Sequence, residues 1–535
     1  MNKRIAIRCD NIYTGTSGTT TLDGYVVTEG GKILAVGTEE DVKDCLEGAE
    51  RIDVRGNFLM PGLCDYHVHM VMSGMQEKDG TLRYTTSAED AAKYLAERNS
   101  DDIEDGWILG GSWDMIVWDD HNVPTKDLLD KYFKNRPAFL VNMEGHGAWV
   151  NSAALEKFGI TAATPDPKDG YFSRDEHGEP TGYLHESAAT GMQTQIINSL
   201  TDEEVASYAE AFIKAANSYG ITSLGDVYGG VPVRHDAYRL LLEQGRLRAR
   251  VEFYPPFMED IEFIKRLRKE FNDPMLRCGG VKGFIDGTPE GHTGFMLEDY
   301  SDRPGFRSVP LFDLQWLKER IALFDREGIQ TRVHACGDAG VKACLDAIEY
   351  AQQQNGFQDL RHCVEHLEVM DPDDIPRFGQ LGAIASVQPE HLPKYEFAKH
   401  PFHAKLGEER MNYCWPFESI RKAGGRLAYG TDSPVAHISP FRGIFRSITR
   451  LTNYGQPEGG FLPQERVSLE ETLKAYTLGG AFASHHERER GTIEPGKLAD
   501  LAVINHNVIK EATDREAMFD AKAVLTMVGG EIVLG

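Results

Sequence analysis

The strongest constraint on this chain is a rhythm: between residues 61 and 488, short apolar runs alternate with stretches of helical periodicity. The pattern predicts eight strands, at Leu63–His67, Ile221–Asp226, Arg250–Tyr254, Val281–Ile285, Thr331–His334, Cys363–His366, Ala383–Gln388 and Leu427–Asp432. Helical patterns such as 202–218, 313–327 and 339–354 fall between several of them. Strands joined through helices lie parallel, and eight parallel strands close a (β/α)8 barrel. The expected class is therefore α/β. A chain of 535 residues with 41% hydrophobic content has the length and core material for a large barrel with an attached module.

Both ends have a different texture. Residues 1–60 hold short strand-like runs split by Gly and Asp, including Ile5-Ala6-Ile7, Gly24-Tyr25-Val26-Val27 and Lys32-Ile33-Leu34-Ala35-Val36. Residues 489–535 repeat that texture in Leu501-Ala502-Val503-Ile504 and Ala523-Val524-Leu525-Thr526-Met527-Val528. Neither piece has enough apolar residues for its own core, so one composite β-sandwich built from both termini is expected. The barrel would then occupy 61–488, with a long insertion at about 72–200 over its mouth.

The net charge of −26 and pI near 5.1 argue against nucleic acid or an anionic membrane as partner. The eight cysteines are scattered without a CxxC, which fits free thiols in a reducing compartment. The first residues, Met1-Asn2-Lys3-Arg4-Ile5, lack the apolar core of a signal peptide, and no run approaches the ~20 apolar residues of a membrane span. A cytoplasmic location is expected.

Polar groups fall where barrel chemistry resides, at the C-terminal ends of strands. His67 and His69 are two residues apart, so on an extended backbone both imidazoles point to one side. His334 and His366 each end a separate strand, and with the first pair they make a four-imidazole set suited to zinc or another borderline divalent metal. His362, four residues before His366, lies roughly 13 Å from it along a strand and cannot share its ion. Asp432 ends the eighth strand, where a carboxylate can bind metal and accept a proton from water as general base; the plain alternative is a turn aspartate. Lys282 lies inside the fourth strand. A buried ammonium must be paired (Asp286 and Asp226 are the nearest candidates), neutralised or modified.

Taken together, these motifs resemble the amidohydrolase superfamily, in the branch called amidohydrolase family 3 or YtcJ-like. The landmarks run nearly the length of the chain. They include Met60-Pro61-Gly62-Leu63-Cys64-Asp65-Tyr66-His67-Val68-His69, Gly145-His146-Gly147-Ala148-Trp149, Val281-Lys282-Gly283-Phe284-Ile285-Asp286-Gly287 and His334-Ala335-Cys336-Gly337-Asp338. Later come Glu365-His366, Gln388-Pro389-Glu390-His391, Gly430-Thr431-Asp432-Ser433-Pro434 and Gly491-Thr492-Ile493-Glu494-Pro495-Gly496. The resemblance implies a distorted TIM barrel with a composite β-sandwich. It implies two metal ions, one on His67 and His69 and one on His334 and His366, bridged by a carboxylated Lys282; single-metal members also occur. It makes Asp432 the catalytic aspartate. Trp113, His146, His292 and His391 are candidates to line the substrate pocket, each with a structural or rim role as the plain alternative.

The expected activity is hydrolysis of a C–N amide-type bond, linear or cyclic, in a small molecule, with N-substituted formamide deformylation as the first precedent. Ester or carbamate hydrolysis and ring deamination would use the same activated water. A non-catalytic metal- or ligand-binding relic of the fold is the alternative of another class, and such a relic is expected to lose Asp432 or part of the histidine set. A homo-oligomer is compatible with the sequence, but no feature demands one.

Overall fold

The structure is a computed structural model, described here for residues 3–99, 106–115, 118, 123–143, 145–168, 170–393 and 400–535. It is α/β, with four sheets among the described residues. Eight parallel strands carry the central architecture: β1 (Leu63–Val68), β2 (Ile221–Val227), β3 (Arg250–Tyr254), β4 (Gly280–Phe284), β5 (Gln330–Ala335), β6 (Cys363–His366), β7 (Ile384–Val387) and β8 (Arg426–Tyr429). They form two parallel sheets. In one, β2 pairs with β1 and β3, and β3 pairs with the short strand Leu276–Cys278. In the other, β4 to β8 pair in sequence order.

The sheets are hydrogen-bonded at both margins. Lys282 N–H donates to Pro255 O at 2.8 Å, and Phe257 N–H donates to Lys282 O at 2.8 Å. At the other margin Asp432 N–H donates to His67 O at 2.7 Å, and His69 N–H donates to Ser433 O at 2.9 Å.

Helices return the chain between successive strands, and the sequence sets their ends. Thr201 and Glu204 form a reciprocal capping box at the start of the helix Asp202–Asn217. Asp260 and Asp313 cap the helices Ile261–Glu270 and Leu314–Arg326. The helix Met70–Asp79 lies so close to Asp202–Asn217 that a Cβ on Gly74 would strike the Tyr208 carbonyl. Leu63, Val251, Val281, Val333 and Val364 of the strands join Phe212, Leu241, Leu317 and Leu345 of the helices in the largest apolar cluster. Among the described residues no helix is long and apolar enough to cross a membrane.

The two termini share one eight-stranded sheet. Phe58–Pro61 runs antiparallel to Leu501–Ile504, so the segment leading into β1 is the seam between N- and C-terminal strands. Ile5, Ile7 and Cys9 cluster with Leu501, Val503, Leu525 and Met527, which gives this sheet its own apolar layer. A buried bidentate pair clips it to the strands: Arg250 Nε lies 2.7 Å from Asp500 Oδ2 and Arg250 Nη2 lies 2.9 Å from Asp500 Oδ1.

The long segment between β1 and β2 forms a separate five-stranded sheet, ordered Gly170–Arg174, Pro180–Glu186, Gly147–Val150, Phe139–Asn142 and Gly111–Trp113. One corner reaches the turn after β8, where Arg83 Nη2 donates to Pro434 O at 2.6 Å and Ser112 Oγ donates to the same oxygen at 3.2 Å.

Candidate metal centre

β1 places His67 and His69 on one face, as the spacing requires. His67 Nδ1 lies 2.6 Å from Glu365 Oε2, and His69 Nδ1 lies 2.9 Å from the Val227 carbonyl. Acceptors at both Nδ1 atoms take a proton there, so Nε2 is the nitrogen that each ring turns to Asp432. Asp432 Oδ1 lies 2.9 Å from His69 Nε2 and 3.3 Å from His67 Nε2. It makes no well-angled hydrogen bond to either, although it is buried. Two imidazole nitrogens and a buried carboxylate oxygen therefore converge within 4.8 Å of one another, an arrangement that a bound cation would fit. The donor types and their carboxylate- and carbonyl-fixed tautomers fit a divalent metal of the zinc kind. A second group, His366, His391 and Asp432, also brings its ligand atoms within 4.8 Å of one another, and His391 Nε2 lies 3.4 Å from Asp432 Oδ2.

Backbone strain holds these donors. His366 has φ 73° and Asp432 φ 58°, left-handed values that cost a non-glycine residue about 1–3 kcal/mol. The Asp432 N–H bond to His67 O fixes one turn. Asp65 fixes its approach, accepting from Thr431 N–H at 2.8 Å and Thr431 Oγ at 2.6 Å.

The sites differ in how they match expectation. His334 packs on His366 at 4.3 Å between ring centres, but its Nε2 faces Gly287 O at 3.2 Å and Cys336 Sγ at 3.3 Å. It thus stands beside the second group, and His391, expected to line the substrate pocket, supplies that group's third donor. Burial, with Lys282 adding to it, pushes the His334 imidazole down to about 3, so it stays neutral. Lys282 is 1% exposed and its Nζ has no hydrogen-bond partner. Neither anticipated partner reaches it. Asp286 is committed to the N–H groups of Phe295, Cys336 and Gly337, and Asp226 to Met70 N–H and Tyr238 OH. Burial lowers the Lys282 pKa to about 8, against the opposing pull of Glu365.

Three pocket candidates are not brought to the donor groups. Trp113 is 1% exposed inside the inserted sheet's aromatic cluster, stacked on Trp118 and donating Nε1–H to Leu140 O at 2.8 Å, so it is core there. His146 is half exposed and pairs with Glu186 at 2.9 Å. His292 pairs with Asp302 at 2.9 Å in the loop after β4. His362, given no role, bonds Asp325 and Thr331.

Sequence reasoning missed the support beneath the site. Arg332 Nε donates to Glu365 Oε1 at 2.6 Å and Arg332 Nη2 to Tyr66 O at 2.7 Å, with the guanidinium 4.0 Å from the Tyr66 ring centre. Burial opposes ionisation of Glu365, but Arg332 and His67 outweigh it and hold the carboxylate well below its usual range. The available signal was a charged residue beside the strand-ending histidine on each of two neighbouring strands, Arg332 before His334 and Glu365 before His366.

A profile of the amidohydrolase family matches residues 50–534. The chain is 30% identical over 535 residues to the protein LONG AFTER FAR-RED 3 of Arabidopsis thaliana, covering 97% of this chain and 90% of that one. It is 28% identical to the amidohydrolase YtcJ of Bacillus subtilis, with 95% of each covered, and 27% identical to an N-substituted formamide deformylase of Arthrobacter pascens, with 91% of each covered. An uncharacterized metal-dependent hydrolase from Pyrococcus furiosus superposes with a TM-score of 0.75 at 26% identity, covering 94% of this chain and 99% of that one. On the profile match and these near full-length relatives, the chain belongs to the amidohydrolase family, in its YtcJ-like branch.

Proposed function

We propose that the chain is a metal-dependent hydrolase of a C–N amide-type bond in a small molecule, with Asp432 as general base. The observation that carries this reading is the convergence of His67 Nε2, His69 Nε2 and Asp432 Oδ1 in one buried group. The two parallel sheets, bonded at both margins, are read as one (β/α)8 barrel with the donors at the C-terminal ends of its strands. His67, His69 and Asp432 would hold one ion and His366, His391 and Asp432 a second, with zinc the best match to the donors. Such ions lower the pKa of bound water to about 7 and polarise a carbonyl.

Glu365 and the Val227 carbonyl orient His67 and His69 through their Nδ1 protons. Burial works against a charged Asp432, but His67 and His69 outweigh it and keep the carboxylate ionised, ready to accept a proton. Oδ1 faces the first histidine pair, and the carboxylate would pass the proton that it accepts from water to the leaving nitrogen. Lys282, whose amine is partly neutral near pH 8, has the nucleophilic form that carboxylation by CO2 requires, and the reaction would release a proton and put an anionic carboxylate on the buried nitrogen.

The test is turnover of a panel of N-formyl, N-acyl, cyclic amide and ester substrates by the metal-loaded chain beside Asp432→Asn. Hydrolysis of an amide is expected, with kcat reduced about 10²–10⁴-fold in the variant. Wild-type turnover by Asp432→Asn would remove the base from this reading, and turnover of esters alone would remove the amide.

A further inference from the structure

Gln388 is 1% exposed, and neither its Nε2 nor its Oε1 has a hydrogen-bond partner. Burying an unbonded amide costs roughly 1–3 kcal/mol on mutational scales. No neighbouring strand or helix end draws on it. Its position says where the carboxamide points. Gln388 continues β7 with extended backbone, φ −121° and ψ 99°. Side chains two apart on an extended strand share a face. Ser386, two residues earlier, turns its Oγ toward Arg332 Nη2 at 3.4 Å, among the strands. Gln388 therefore stands one step above Ser386 in the inward row.

On the β8 side, Ala428 pairs with Ser386, and the next inward position is Gly430. Gly430 brings no side chain there and packs against the His67 backbone, which a Cβ would strike. A tight turn leads from Gln388 to His391, whose Nε2 lies 3.4 Å from Asp432 Oδ2.

We propose that Gln388 determines substrate choice by pairing its C=O and N–H₂ with an N–H and C=O on the same edge of the substrate amide. This rests on the hydrolase reading above. A carboxamide offers a donor and an acceptor side by side, and both of its atoms are open here. Lactams, cyclic ureides and primary amides present the complementary edge. A linear secondary amide is trans and presents the two groups on opposite edges, and its cis form costs about 2.5–4 kcal/mol. An ester or an N-methylated lactam lacks the N–H altogether. The substrate class is thereby narrowed to amides with a same-edge N–H and C=O.

The experiment measures binding of 2-piperidone, N-methyl-2-piperidone and δ-valerolactone to the metal-loaded full chain by ligand-observed NMR. The same titrations are run on Gln388→Leu and on the unbranched Gln388→Met, with metal content and thermal unfolding recorded for each. All three probes keep the C=O, so they differ by the one hydrogen bond from the lactam N–H, and leaving the buried Gln388 oxygen unpaired corresponds to a preference of about tenfold for 2-piperidone over the other two. Both variants are expected to erase that preference while keeping wild-type metal content and an unfolding temperature no lower than that of the wild type. A glutamine that served only the fold would lower the unfolding temperature and leave the preference intact. Equal binding of the three probes to the wild-type chain, no binding of 2-piperidone, or a preference that survives in a folded variant would overturn the proposal. Hydrolysis is scored separately, so a Gln388-dependent preference without turnover would sink the hydrolase reading and leave this one standing.

Discussion

Glu365 lies outside both candidate donor groups, yet it sets the chemistry of His67. Its Oε2 fixes the imidazole tautomer while its Oε1 takes the Arg332 bond, all within a fully buried network. Glu365→Gln is predicted to weaken divalent metal binding about 10–100-fold, measured by competition with a chromogenic chelator. Unchanged affinity would show that the Nδ1 partner is not needed. Histidines and Asp432 were legible in the sequence because ligand chemistry restricts residue type and strand ends restrict position. Glu365 and Arg332 were less legible because a supporting pair has no fixed spacing; Glu365 and Arg332 come from β6 and β5. The exchange of roles between His334 and His391 had a different cause. Sequence places a histidine at a strand end, but side-chain torsion decides which nitrogen faces the donors, and His334 Nε2 turns to Gly287 and Cys336.

At the level of elements, all eight predicted strands correspond to observed ones, because short β-type runs alternate with stretches of helical periodicity along the chain. The inserted sheet was less readable. Only its strand at Phe139–Asn142 had a clear apolar signature, and the others carry glycine or charged residues, as in Gly170–Arg174. That is also why the sequence left Trp113 open between the pocket and a structural role: a tryptophan near a mouth and one inside a small aromatic core have the same sequence signature.

The opposite end of β3 carries a testable electrostatic feature. Glu252 is nearly buried, and its Oε1 lies 3.4 Å from His486 Nε2. Burial opposes its ionisation, but His486 and then Arg490 more than offset this and hold its pKa at about 2. A carboxylate with a depressed folded pKa stabilises above its unfolded pKa and loses that contribution as pH falls through the folded one. From the usual glutamate value of 4.5 to about 2, this amounts to about 3 kcal/mol. Denaturant unfolding should therefore show Glu252→Gln less stable at neutral pH, with the gap to wild type closing between pH 4.5 and 2. A gap independent of pH would mean that packing, not charge, sets its contribution.

For the whole molecule, the central question is how distant segments make one site. β1 begins at the seam where the two termini join, so the donors at its far end are anchored to a sheet assembled from both ends of the chain. Arg250 and Asp500 tie that sheet to β3. The shared sheet was legible because neither terminus had the apolar residues for a core of its own. Its pairing order was not, since strand partners over 400 residues apart leave no local mark.

The account stands on a metal-dependent site made by this assembly. Its most direct test is bound divalent metal and amide turnover measured on one sample before chelation, after chelation and after zinc is returned. The account predicts that turnover vanishes with the metal and comes back with it, and that His67→Ala neither retains the metal nor recovers. Full turnover in the stripped chain would contradict it.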